Sequence, residues 1–233
     1  MEQPQKKQFE KDCKVFDKVL LLEGKNDCHV VKHICSKHNI TTSNSFAIFN
    51  CEGYSNVLKN LPAKLSEEGI TTIGIVIDCD QPEDCPSLQS ELEAIRDRLH
   101  KICKDYVVPK QVEPNGVIIQ SIRIGVRNFP KIGIWFMPNN KDIGMLEDFL
   151  LSLASGKNEP SLVFAQNTVA SAKENKLTTF KDAHYAKAVI HTYLAWHDEP
   201  GETLGISIRS GNVDAKAQLA KSFVKWLKDL FEI

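Results

Sequence analysis

Residues 70–77 read Ile-Thr-Thr-Ile-Gly-Ile-Val-Ile and run straight into Asp78-Cys79-Asp80. A short apolar run of this kind, followed by a turn at 81–86, predicts a buried strand that delivers acid to its carboxyl end. Alternate residues of a strand face the same way, so Asp78 and Asp80 are expected to aim at one point just beyond the sheet. Two like charges held there repel unless a cation sits between them, and a divalent metal is the simplest candidate. The competing reading is a plain turn, with Asp80 as a cap and Asp78 in solvent.

Neighbouring strands are legible on both sides of this one. Residues 18–22 form a brief apolar strand that leads into Glu23-Gly24-Lys25-Asn26-Asp27, where Asn26 or Asp27 is expected to cap a helix over 28–38. Residues 46–51 form a second strand, followed by Glu52-Gly53 and a helix from Tyr54 that Pro62 should break or restart. Leu88, Leu92, Ile95, Leu99 and Ile102 recur at helical spacing. Extended runs at 117–124 and 132–137 come next, and the second ends at Pro138-Asn139-Asn140. Glu147 and Asp148 then fall in the first turn of a new helix, where ordinary complementation of the helix dipole competes with any role at a site. From Pro160 onward the pattern is helical, over 161–175, 181–197 and 214–231.

Strands alternating with helices imply crossover connections and a Rossmann-like, mostly parallel sheet flanked by helices. The expected organisation is an arm at 1–17, an α/β domain at 18–155, and a helical extension at 156–233 packed on the same core. Ligands of such sheets collect at strand carboxyl ends, where Glu23, Glu52, Asp78 and Asp80 all fall. Lys and Arg number 29 against 30 Asp and Glu, so a nucleic-acid surface has to be a local patch. The seven cysteines form no Cys-x-x-Cys pair and stop at Cys103, a pattern of reduced thiols. No apolar run approaches the roughly 20 residues that span a bilayer. These features predict a cytoplasmic protein with no membrane partner.

The acids follow an order: Glu23 and Asp27 after the first strand, Asp78 and Asp80 after the third, Glu147 and Asp148 after a later one. In this order, Val-Leu-Leu-Leu-Glu23-Gly24-Lys-Asn-Asp27 and Ile-Val-Ile-Asp78-Cys-Asp80 resemble the two acidic motifs of a Toprim domain across about residues 18–155. Gly144-Met-Leu-Glu147-Asp148 is similar to the third acidic motif of the Toprim nucleases of the OLD (overcoming lysogenisation defect) family. The whole chain, including 187–197, resembles small stand-alone bacterial Toprim-like proteins without an assigned function.

The resemblance implies a nuclease that uses Mg²⁺ or Mn²⁺ to hydrolyse phosphodiester bonds of DNA or RNA, and an effector in defence against phage. It implies two ions held by Glu23, Asp27, Asp78, Asp80, Glu147 and Asp148. The position of Glu23 is alternatively a general acid/base in related topoisomerases and primases. Lys187 and Lys181, with Lys25 a third, are candidates to neutralise the scissile phosphate. Unlike OLD nucleases, the chain has no phosphate-binding Gly-x-x-x-x-Gly-Lys-Ser/Thr loop, so ATPase control would need a separate partner. His29 and His33 lie at i and i+4 but lack the glutamate of a metalloprotease helix. Phe129, Trp135 and Phe136 near Arg123, Arg127 and Lys131 are either core or a stacking platform for nucleic acid. Two other classes stay open: a non-catalytic module that docks a partner ATPase or a nucleotide, and a hydrolase of a small phosphorylated metabolite. Self-association is also left open.

Overall fold

The computed structural model describes residues 17–79, 87–154 and 159–233. Five strands make one sheet: β1 (Lys18–Leu22), β2 (Ala47–Asn50), β3 (Thr72–Ile77), β4 (Val117–Ile119) and β7 (Lys131–Phe136), in the order β2-β1-β3-β7-β4. The first four neighbours pair in parallel and β4 runs antiparallel to β7, so the fold is α/β with a mostly parallel, Rossmann-like sheet. The expected extended run at 117–124 is divided. Only 117–119 joins the main sheet, while β5 (Ile122–Ile124) pairs with β6 (Arg127–Phe129) as a separate hairpin.

Period-two alternation sorts each strand between two cores. Leu20, Leu22, Val76, Trp135 and Met137 enter one core, together with α1 (Lys25–Lys37), α5 (Leu146–Ala154), α6 (Glu159–Glu174), α7 (Tyr185–Leu194), α8 (Leu204–Ser210) and α9 (Gln218–Phe231). Val19, Leu21, Ile73, Ile75, Ile77, Ile134 and Phe136 enter the other, under α3 (Tyr54–Leu65) and α4 (Leu88–Ile102). A short helical turn, α2 (Thr42–Ser45), precedes β2. The helices after Pro160 therefore share a core with the sheet. Gly74 and Gly133 sit side by side in register, and a Cβ on either would come within 3.1 Å or 2.4 Å of Leu230 Cδ2, so two bare backbones make room for α9.

Pro62 lies inside α3 rather than breaking it. Leu58, Leu61 and Leu65 are all buried on its core face, and that packing carries the helix past the lost backbone donor. Trp135, Phe136 and Phe129 are buried, which makes them core and not a stacking platform. The described cysteines are free thiols, and no described helix is long and apolar enough to cross a membrane.

Candidate functional site

The chain leaves β1 into α1 on one face of the sheet and leaves β3 towards α4 on the other. Because β2 and β3 flank β1 on opposite sides, the carboxyl ends of β1 and β3 form the topological switch point, the crevice where open α/β sheets bind ligands. Glu23 and Asp78 stand there. The Asp78 backbone N–H donates to Glu23 Oε1 at 2.8 Å, tying the two strand ends together. The Asp78 carboxylate accepts from the Leu146 N–H at 3.1 Å, which brings in the first turn of α5. A two-residue bridge between Cys79 and Gly144, with N···O distances of 2.8 and 3.0 Å, clamps the loop before α5 against the end of β3.

Behind this edge lie two buried carboxylates, Asp27 and Glu147, only 7% and 4% exposed. Asp27 belongs to the first turn of α1. The cap is Gly24, which makes no side-chain capping bond, so the expected cap at Asn26 or Asp27 is not the one formed. A Cβ on Gly24 would stand 2.9 Å from Asp27 Oδ2, so the bare glycine leaves the carboxylate room where it lies. Burial raises the Asp27 carboxyl from 3.8 to about 6; its own N–H opposes the rise, the Glu147 charge adds to it, and the Gly24 N–H and Lys187 ammonium oppose it. Lys187 Nζ lies 3.5 Å from Glu147 Oε1, so one half-exposed cation serves two buried acids.

Not every expected ligand joins them. Asp148 Oδ2 accepts from the Met145 N–H at 2.9 Å, closing the start of α5 as a capping acid does, and the bare Gly144 leaves room for it. Lys181 is exposed at the cap of the short 3₁₀ turn Asp182–His184, and no ion pair among the described residues joins it to the acids. Asp80 lies outside the described residues. Among those described, no three His, Cys, Asp or Glu side chains are grouped around one point as a metal shell, His29 and His33 included. Another buried acid, Glu91, is accounted for by Tyr54, whose hydroxyl donates to it at 2.7 Å.

The donor type, though not a closed shell among the described residues, is the one a hard divalent ion takes. Glu23, Asp27, Asp78 and Glu147 offer only carboxylate oxygens, on three segments converging at the switch point, and two of them are buried with one shared lysine as counter-charge. Sequence reasoning nominated all four and Lys187. It did not foresee that Glu147 pairs with Lys187, because the ion pair joins helices whose packing no local pattern encodes.

A family model described as a protein of unknown function (DUF3226) matches residues 17–232, and the chain belongs to that family. No curated protein and no solved structure matches it.

Proposed function

We propose that this member of the family is a Mg²⁺- or Mn²⁺-dependent phosphodiester hydrolase acting on nucleic acid, a Toprim-like nuclease of the cytoplasm. The observation that carries the reading is the meeting of Glu23 and Asp78 at the switch point, backed by the buried pair Asp27 and Glu147. Burying like charges in a crevice is unfavourable unless a cation compensates them, and one half-exposed lysine is a partial answer. Reduced thiols among the described cysteines support an intracellular setting.

On this reading Glu23, Asp27, Asp78 and Glu147, with Asp80, hold the metal. When bound, the metal supplies Lewis-acid stabilisation of the phosphate oxygens and a nucleophilic water near neutral pH. Lys187 holds Glu147 in place and offers an ammonium to the anionic phosphate. Asp148 is assigned to helix capping rather than to a second ion. A role against phage, and control by a separate ATPase, follow only from the resemblance of the acidic motifs to OLD nucleases.

The test is incubation of the purified protein with DNA and with RNA in Mg²⁺ or Mn²⁺. Cleavage abolished by EDTA and by Asp78→Ala is expected. Cleavage that survives Asp78→Ala, or none with any substrate and either metal, sinks the proposal. A non-catalytic module would instead bind a partner ATPase or nucleotide as tightly in the Asp78 variant as in the parent.

A further inference from the structure

Helix α1 hides Asp27, Val30, Val31, Ile34 and Cys35 in the core. Three- and four-residue spacing therefore puts Lys25, His29, Lys32, His33 and Lys37 together on its outer face. Arg209, in the last turn of α8, joins this row. Lys37 Nζ donates to its carbonyl at 2.9 Å, and burial lowers the His33 pKa, with the charges of Arg209, His29, Lys32 and Lys37 lowering it further. The acids nearest the row lie at its ends, Asp27 beside Lys25 and Glu202 accepting from Ser210 next to Arg209. The chain has no Asp or Glu from Cys28 to Asn50, and none from Leu204 to Val213, although it carries 30 acids in all. The usual exposed helix face mixes both signs, and this one does not.

Beside the row lies a groove of about 820 Å³ between α1 and residues 39–48. His29 and Lys32 line one wall, Thr41, Thr42 and Ser43 line the other, and Phe46 and Ile48 contribute apolar residues. The groove follows β2, the edge strand of the sheet, and its lining begins at Cys28, next in the chain to the buried Asp27. A 13-residue helix is about 20 Å long, so the row extends along several nucleotides of a strand.

We infer that this groove and the basic face of α1 bind the sugar-phosphate backbone of a single-stranded nucleic acid and lead it to the acids at the switch point. The second half of the inference rests on the hydrolase reading; the binding itself does not. Cations neutralise phosphates, hydroxyls donate to phosphate oxygens, and the groove is too small to admit a duplex.

The experiment measures anisotropy of short labelled single-stranded DNA, single-stranded RNA and duplex DNA with the full chain in EDTA, between about 50 and 200 mM salt. Both single strands are expected to bind, the duplex at least tenfold more weakly, with log K falling against log salt at a slope of about −2 to −3. Lys32→Glu with Arg209→Glu should weaken binding at least tenfold and flatten the slope by about 1.4. Lys221→Glu, on the exposed side of α9, should change neither. If the double charge reversal does not fold, Lys32→Gln with Arg209→Gln should give a smaller loss in the same direction. Absence of binding at the lowest salt, binding indifferent to these substitutions, or displacement by polyglutamate as effective as by unlabelled strand overturns the inference. The tighter of DNA and RNA names the ligand. Binding without cleavage in any metal keeps the groove and removes the hydrolase, whereas cleavage by the charge-reversed variant at the parent KM does the reverse.

Discussion

Glu23 accepts a hydrogen bond from the backbone N–H of Asp78 at 2.8 Å, across the gap where the chain turns to opposite faces of the sheet. One carboxylate thus has a structural duty and a proposed chemical one, and the two separate by substitution. Glu23→Gln keeps an oxygen for the Asp78 N–H, so its urea midpoint should stay near the parent. Glu23→Ala should lose about 1–3 kcal/mol, the cost of a charge-assisted bond with one partner gone. Both should lose metal-dependent hydrolysis, and retained activity in either variant would remove Glu23 from the site.

Asp27 sets a pH dependence with a definite sign. Its carboxyl titrates near 6 in the fold and near 3.8 in the unfolded chain. Between those values the folded state holds a proton that the unfolded state has released. Its contribution therefore favours the fold at low pH and is lost as pH rises through about 6. Asp27→Asn should be more stable than the parent above pH 6, by on the order of 2–3 kcal/mol in EDTA, with the advantage vanishing below pH 4. Urea denaturation across that range checks it. An advantage that grows as pH falls would contradict the assignment.

Lys187 and Lys181 should behave differently. Lys187→Met leaves the buried Glu147 without its ion pair and should lower both stability and hydrolysis, by about 1–3 kcal/mol in the former. Lys181→Met, at an exposed position, should stay within about 0.5 kcal/mol and keep its activity. Equal effects of the two would show that the ion pair carries no role of its own.

Gly133→Ala should be strongly destabilising, because the added Cβ meets Leu230 Cδ2 at 2.4 Å in the middle of the sheet. Overpacking of this kind costs about 1–3 kcal/mol. Restoring space with Leu230→Ala in the same chain should recover part of the loss, and a simply additive double variant would place α9 elsewhere.

Much of this was legible in residue pattern alone, for physical reasons. The strands at 18–22, 47–50, 72–77 and 131–136 are short apolar runs, and the acids that follow them are positioned by chain continuity. Other features depend on distant partners. Nothing local distinguishes 117–119, which closes the sheet antiparallel, from 122–124, which folds back on β6. Helix α8 falls between the expected helices 181–197 and 214–231, and its core residues, Leu204 and Ile208, gain their meaning only against α1. Pro62 argued for a break that the burial of Leu61 and Leu65 overrides. The spacing of His29 and His33 marks them as a pair in the sequence, but the basic row also needs Arg209, which comes from another helix.

The most direct test of the central claim is electron paramagnetic resonance of Mn²⁺ titrated into the protein at pH 8. The account predicts saturable binding at the switch point that is lost in Asp78→Asn, weakened at least tenfold in Glu147→Gln, and unchanged in Lys221→Glu. Mn²⁺ that stays free, or binds equally well to the Asp78→Asn variant, would contradict it.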